Sequence, residues 1–331
     1  MERVFNDATE AGDQRLQGLS LAALAENALL RDADLPRGRE LVDQALVLLE
    51  NEAPEDRYEA LTVRARIGWW LGDLEDDERW IRKALEVARQ IGRKDLEANA
   101  ADELASTAIA SLDLDRAAGL VSEALELAEE SGNITALGWA LVSQARIDSL
   151  RGLLDEAAVC FDRAVDLFSQ SGSAWALARV HNYYGWLERK RGDLAAAERH
   201  FRDAIRILQP LEDRGTLCES QRGLAQVLVG RGKLDEAERY ALEARQTVGP
   251  HDNISRSTTR MALGIVRAAQ GRDEEAEALL REGAEILQGK DVRLIRRELL
   301  AALARFLRER ERIDEAEEYE AEIASYTLTP A

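Results

Sequence analysis

Between Ser173 and Leu208 the apolar positions fall into two runs of helical period. Leu177, Val180, Tyr184 and Leu187 lie on one stripe of a helix about three to four turns long. Arg191-Gly192-Asp193 interrupts the pattern, and Ala197, Phe201, Ala204, Ile205 and Leu208 resume it. The spacing predicts two antiparallel helices. Isolated helices of about 12 to 15 residues are marginal in water, so each needs its partner and neighbouring copies to cover its apolar face.

Copies are present along the chain. The turn between paired helices recurs at Ala33-Asp34-Leu35, Gly72-Asp73-Leu74, Leu112-Asp113-Leu114, Gly152-Leu153-Leu154, Gly192-Asp193-Leu194, Gly232-Lys233-Leu234, Gly271-Arg272-Asp273 and Glu311-Arg312-Ile313, at intervals of 39 or 40 residues. Five positions after the first turn residue comes a small side chain, as in Gly38, Ala117, Ala157, Ala197, Ala237, Ala276 and Ala316; Asp77 alone departs. A small residue there lets the two helices approach, which is a packing requirement. Val42/Ala45/Leu46, Ile81/Ala84/Leu85, Val121/Ala124/Leu125, Phe161/Ala164/Val165 and Phe201/Ala204/Ile205 continue each second helix as a seam between units. Gly92, Gly132, Gly172, Gly249 and Gly289 follow second helices, where a residue free to take positive φ ends them. Acids at Glu75, Asp115, Asp155, Asp235, Glu274 and Asp314 open second helices, at the positive end of the helix dipole.

This pattern resembles the tetratricopeptide repeat. Its first-helix Leu-Gly pair has counterparts in Tyr184-Gly185 and Leu263-Gly264, and its turn and second-helix signature in Gly192, Leu194, Ala197, Phe201 and Ala204 and in Gly152, Leu154, Ala157, Phe161 and Ala164. The period is 40 and not the commoner 34, which is similar to the longer-repeat subgroup of Pins-type scaffolds and of MalT-like regulator sensor regions. The expectation is an all-α, right-handed α-solenoid of about eight helix pairs, forming one domain over 1–331. Val4, Phe5 and Ala8 read as the tail of a preceding second helix, so 1–12 is a remnant. Tandem repeats follow over 13–310, then a capping helix over 311–326, with Glu320 where Phe161 and Phe201 stand, and a tail over 327–331. The mid-repeat start suggests the C-terminal array of a longer protein.

Composition narrows the function. With 63 acidic against 44 basic residues and a formal net charge of −19, the average surface repels nucleic-acid backbones and anionic lipid, so neither is an expected partner. Cys160 and Cys218 lie 58 residues apart inside helical patterns, which fits a reducing, cytoplasmic compartment and no disulfide or zinc framework. His181, His200 and His251 fall in a first helix, a second helix and a loop, without metal-ligand spacing. No phosphate loop follows a strand, and neither an enzyme nor a cofactor is expected.

The resemblance implies that first helices line a concave groove. Carrying the family positions over marks Arg179, Asn182, Tyr183, Trp186 and Arg189, with Trp139 and Arg146 in the unit before, Arg222 and Gln226 in the unit after, and Arg66, Trp69, Asn99 and Asp102 further N-terminal. Arginine forks suit carboxylates, and Trp and Tyr supply rigid contact area, so the set could grip a protein or peptide of acidic character. The same arginines could equally pair with the chain's own acids. The expectation is a non-catalytic protein- or peptide-binding scaffold. The alternative is the C-terminal sensor array of a multidomain signalling ATPase or transcription regulator, taking a small effector or its own upstream domains. An apolar face around Phe5, Leu16, Leu19 and Leu24, if open, would support self-association.

Overall fold

The structure, a computed structural model, describes residues 1–326, so the tail over 327–331 lies outside the described residues. A first helix, α1 (Glu2–Ala11), packs on the pair α2 (Gln14–Asn27) and α3 (Leu35–Leu48). The pairs α4/α5 (Pro54–Leu71, Leu74–Ile91), α6/α7 (Lys94–Ala110, Leu114–Ser131) and α8/α9 (Ile134–Arg151, Leu154–Ser171) follow. The second half repeats the plan with α10/α11 (Ala174–Arg191, Leu194–Leu208), α12/α13 (Arg214–Gly230, Leu234–Thr247), α14/α15 (Asn253–Ala269, Asp273–Ile286) and α16/α17 (Arg293–Arg308, Ile313–Ser325). These are eight helix pairs, and no strand occurs among the described residues.

The pairs turn where the periodicity places them. In all eight copies the first turn residue is left-handed, with φ between 54° at Ala33 and 87° at Gly152 and Gly192. Asp34, Asp73, Asp113 and Asp193 then accept backbone N–H bonds from the first turn of the following helix, satisfying donors that have no partner within it. Asp115 and Asp155 serve the next unit as well as the dipole, since they take ion pairs from Arg151 at 3.1 Å and Arg191 at 2.9 Å.

Phe161 and Phe201 are buried at the seams between units. Glycines make the room: a Cβ on Gly223 would stand 2.4 Å from the Phe201 ring and one on Gly185 2.9 Å from it. The departure at Asp77 has its own solution. Its carboxyl is buried and accepts from the Thr107 hydroxyl at 2.6 Å, and burial raises it well above the ordinary carboxylate range. Gly68 faces it, where a Cβ would lie 2.8 Å from the Asp77 backbone nitrogen.

Two expectations are corrected. Gly92, Gly132, Gly172 and Gly289 do take positive φ, but Gly249 does not. It is needed for close approach, because a Cβ there would sit 2.1 Å from the Ala33 carbonyl oxygen in the first helix pair. The N-terminal apolar face is also partly covered: Phe5 and Leu19 pack against the core of the first pairs, while Leu16, 39 % exposed, Val4, 38 % exposed, and Met1, 59 % exposed, stand out.

That contact of Gly249 with Ala33 belongs to a long-range seam. Helix α14 packs on α4, α16 packs on α6, and α12 touches the π-turn Ala28–Asp32 that extends α2. The Asn253 amide donates to the Leu71 carbonyl at 2.9 Å, Arg214 donates to the Arg31 carbonyl at 3.4 Å, and the Trp70 ring lies over Gly215. Leu74, Ile254, Leu287 and Val292 are buried together beneath it. The array thus closes on itself. Its accessible surface is 14680 Å², close to the roughly 13,600 Å² expected of a compact monomer of this mass, although an open solenoid would expose more.

Candidate functional site

Closure converts the expected open groove into a cavity of about 380 Å³ encircled by first helices from α4 to α16. One side is cationic and aromatic. Arg146 comes from α8, Arg179, Asn182, Tyr183, Trp186, Arg189 and Lys190 from α10, and Glu219 and Arg222 from α12. The seam side is apolar, formed by Trp69 and Trp70 of α4, Ile109 of α6, Ile254 of α14, and Leu294 and Ile295 of α16. Arg297 and Glu298 complete the lining, so six cationic side chains face two carboxylates inside a strongly acidic protein.

The cations are held by aromatic rings. Arg179 lies 4.9 Å from the Trp175 ring and 5.3 Å from Trp139, and donates to the Tyr183 hydroxyl at 3.0 Å. Arg146 lies 4.8 Å over Tyr183 and donates to the Ser106 hydroxyl at 2.9 Å. Arg222 and Arg189 flank Trp186 at 4.7 and 5.6 Å. Among the described residues only Arg222 of these four has a carboxylate of its own, a two-pronged pair with Glu219 at 2.8 and 2.5 Å, and its Nη1 is buried with no partner among them. Such cation–aromatic contacts contribute about 0.5–2 kcal/mol each and fix where the guanidinium edges point.

The local field is positive. Burial alone would raise the Tyr183 phenol, yet Arg179 and Arg146 outweigh it and bring it below its ordinary value. Burial lowers Lys190, with Arg297 adding to the effect, and burial raises Glu298 against the pull of Arg222 and Arg189. A partly enclosed cavity that holds net positive charge favours an anion.

Eight of the thirteen residues marked from sequence line this cavity: Trp69, Arg146, Arg179, Asn182, Tyr183, Trp186, Arg189 and Arg222. The other five do not line it. Arg66 pairs with Glu26 at 2.9 Å, and Trp139 packs its ring on Phe168 at 4.8 Å and Trp175 at 5.5 Å. Asn99 is half-buried, while Asp102 and Gln226 are buried. Trp70, Ile254, Leu294, Ile295, Arg297 and Glu298 had not been marked. Glu298 holds in the last pair the register that Arg179 holds in the fifth, so extending the repeat register would have found it; the apolar residues needed knowledge of the seam.

Two histidines that looked scattered in sequence meet: the Nδ1 atoms of His181 and His200 are 3.0 Å apart, and Tyr184 stacks on His200 at 4.2 Å. Among the described residues no group of three or more His, Cys, Asp or Glu is placed to hold a metal ion, and no described helix is long and apolar enough to cross a membrane.

Paired helices stacked in register, with first helices turned inward around a cavity, define the class as an α-solenoid of helical hairpin repeats. Residues 137–209 and 216–289 match the family model for the tetratricopeptide repeat. Those residues are tetratricopeptide repeats, and the helix pairs before and after them are built on the same plan. Among solved structures it is similar to a Rap protein complexed with competence and sporulation factor, with a TM-score of 0.75 at 14% identity, covering 94% of this chain and 85% of that one. The quorum sensor NprR from B. thuringiensis, in its apo form, matches with a TM-score of 0.54 at 13% identity, covering 98% and 92%. A signal transduction ATPase with numerous domains from Pyrococcus horikoshii, which carries a tetratricopeptide repeat sensor, matches with a TM-score of 0.52 at 15% identity, covering 97% of this chain and 49% of that one. Identity this low is likeness of fold. No curated protein matches the sequence.

Proposed function

We propose that this chain is a non-catalytic binding module that takes a protein or peptide ligand, acidic where it meets the cavity, inside the closed superhelix. The observation that carries this reading is the set Arg146, Arg179 and Arg189, which face the cavity with no carboxylate within ion-pairing distance among the described residues. Elsewhere the chain pairs its arginines freely, as Arg151 and Arg191 show. All three are half-buried, and a partly desolvated charge without a counter-ion carries a cost that a ligand carboxylate would offset. The Rap structure, described as a complex with competence and sporulation factor, lends support from a protein of similar fold.

The test is capture from lysate by the natural chain and by a variant carrying Arg146→Gln, Arg179→Gln and Arg189→Gln, with helicity matched by circular dichroism and bound species read by mass spectrometry. Species kept by the natural chain and lost by the variant are expected. Identical binding to both would refute a role for the cavity.

A second reading is a sensor array of a larger signalling protein. The cavity volume favours it, since about 380 Å³ falls in the 300–1,000 Å³ range typical of small-ligand sites. Self-association through the N-terminal face would rest on Val4 and Leu16, and light scattering showing a mass independent of concentration would exclude it.

A further inference from the structure

We propose that the cavity recognises a ligand by one anionic head, a carboxylate or phosphate, joined to an apolar body and presented as a free end. This rests on the binding reading above and names the chemistry of that site. The head would dock on Arg146, Arg179 and Arg189. Arg179 lies against the Trp139 and Trp175 rings and spends a single hydrogen bond on the Tyr183 hydroxyl, Arg146 spends one on the Ser106 hydroxyl, and Arg189 donates to no protein acceptor among the described residues. A ring contact uses none of a guanidinium's remaining N–H donors, and these are the part which binds carboxylate or phosphate in a fork.

The carboxylates nearby do not use up this capacity. Glu219 is engaged by Arg222 and also accepts from Thr258 at 3.3 Å, Glu298, exposed, forms no hydrogen bond with Arg189 or Arg222, and Asp102 and Asp213, the latter engaged by Trp175 and Thr216, act on Arg179 only from beyond ion-pairing distance. Across the cavity Ile254, Leu294 and Ile295 offer an apolar wall with no charge to satisfy. The shape then selects the end of a molecule. Contacts of α14 with α4 and of α16 with α6 complete the circle around the site, and a volume of about 380 Å³, in the small-ligand range, takes the end of a chain or a small acid more readily than the two arms of an internal loop. A peptide amino terminus is excluded by like charge.

The chemistry has two sources, a peptide C-terminus or a free apolar acid, and probes separate them. N-acetyl-Leu-Leu-Phe with a free carboxylate, its C-terminal amide, octanoate, octyl phosphate and octylamine would each be titrated into the full chain, with calorimetry and tryptophan fluorescence as readouts. Trp69 and Trp186 line the site and report its occupancy. Binding of the peptide acid and not its amide identifies a C-terminus; binding of octanoate or octyl phosphate alone identifies a small acid. Arg189→Gln should weaken either by about tenfold or more, the loss of one hydrogen bond to a charged group, with a melting temperature no lower than the natural chain's, while Arg206→Gln on the exposed surface should change nothing. Equal binding of the amide or of octylamine would overturn the anionic head while leaving a binding module standing. No binding of any probe would overturn the proposal as well, and the capture experiment then decides separately whether the cavity binds anything.

Discussion

Replacing Gly249 by alanine tests whether the superhelix is closed in solution. The new Cβ would lie 2.1 Å from the Ala33 carbonyl oxygen and 2.9 Å from the Ala33 Cβ. Ordinary contact begins near 3.4 Å, so the two backbones must part by roughly an ångström, and overpacking of this kind costs about 1–3 kcal/mol. Alanine regains about 0.4–1 kcal/mol by restricting the unfolded chain, and φ at this position is not positive, so no strain is added. The net loss is about 0.5–2 kcal/mol. At about 2.1 cal/mol/K per residue, a chain of 331 residues has an unfolding entropy near 0.7 kcal/mol/K, which converts the loss to a fall in Tm of about 1–3 °C. Differential scanning calorimetry resolves this, and small-angle scattering should show a larger radius of gyration than the roughly 20 Å of a compact chain of this length. Gly119→Ala is the control: it lies exposed in α7 with no atom within 4 Å of its added Cβ, so alanine should stabilise it by about 0.5–1 kcal/mol. If Gly249→Ala raised Tm as Gly119→Ala does and left the radius unchanged, the seam would not be in contact and the cavity would be an open groove.

Three further outcomes follow from particular contacts. Glu219→Gln leaves Arg222, 5 % exposed, without its carboxylate, and should cost about 3–5 kcal/mol, seen as a lower urea midpoint with unchanged slope. Gly223→Ala drives a Cβ to 2.4 Å from the Phe201 ring and should cost about 1–3 kcal/mol; Gly223→Ala combined with Phe201→Leu should recover part of that loss. Burial, with His181 adding to it, lowers His200 to about 4, so the unfolded chain takes up this proton first as pH falls. The stabilising neutral form is fully present above about pH 6.5 and is lost progressively toward pH 4. His200→Gln should remove that slope, and urea titrations of both proteins across this window would show parallel curves if the reasoning is wrong.

Local signals fixed the repeat. The 39- or 40-residue turn spacing places a left-handed residue, an Asp cap and a small packing residue at set offsets, and these features depend only on neighbours a few residues away or one unit away. That is why the helix pairs, the place of Phe201 in the seam between units, and the inward register of Arg146, Arg179, Trp186 and Arg222 were all legible in the sequence. Closure was not. It depends on the small rotation between successive units, accumulated over the array, and its sequence traces are isolated: a glycine at 249 that reads as a helix stop, a second tryptophan at 70, an asparagine at 253. Residues as far apart as Ala33 and Gly249, Trp70 and Gly215, and Leu71 and Asn253 meet there, and nothing periodic announces them. The same accumulated rotation brings Ile254, Leu294 and Glu298 to the cavity that Arg179 and Arg189 line. Sequence determined the repeating unit because its forces are short-ranged and recur. Tertiary structure alone decided the enclosure, because it is a sum over all the units, and a sum is not visible in any one of them.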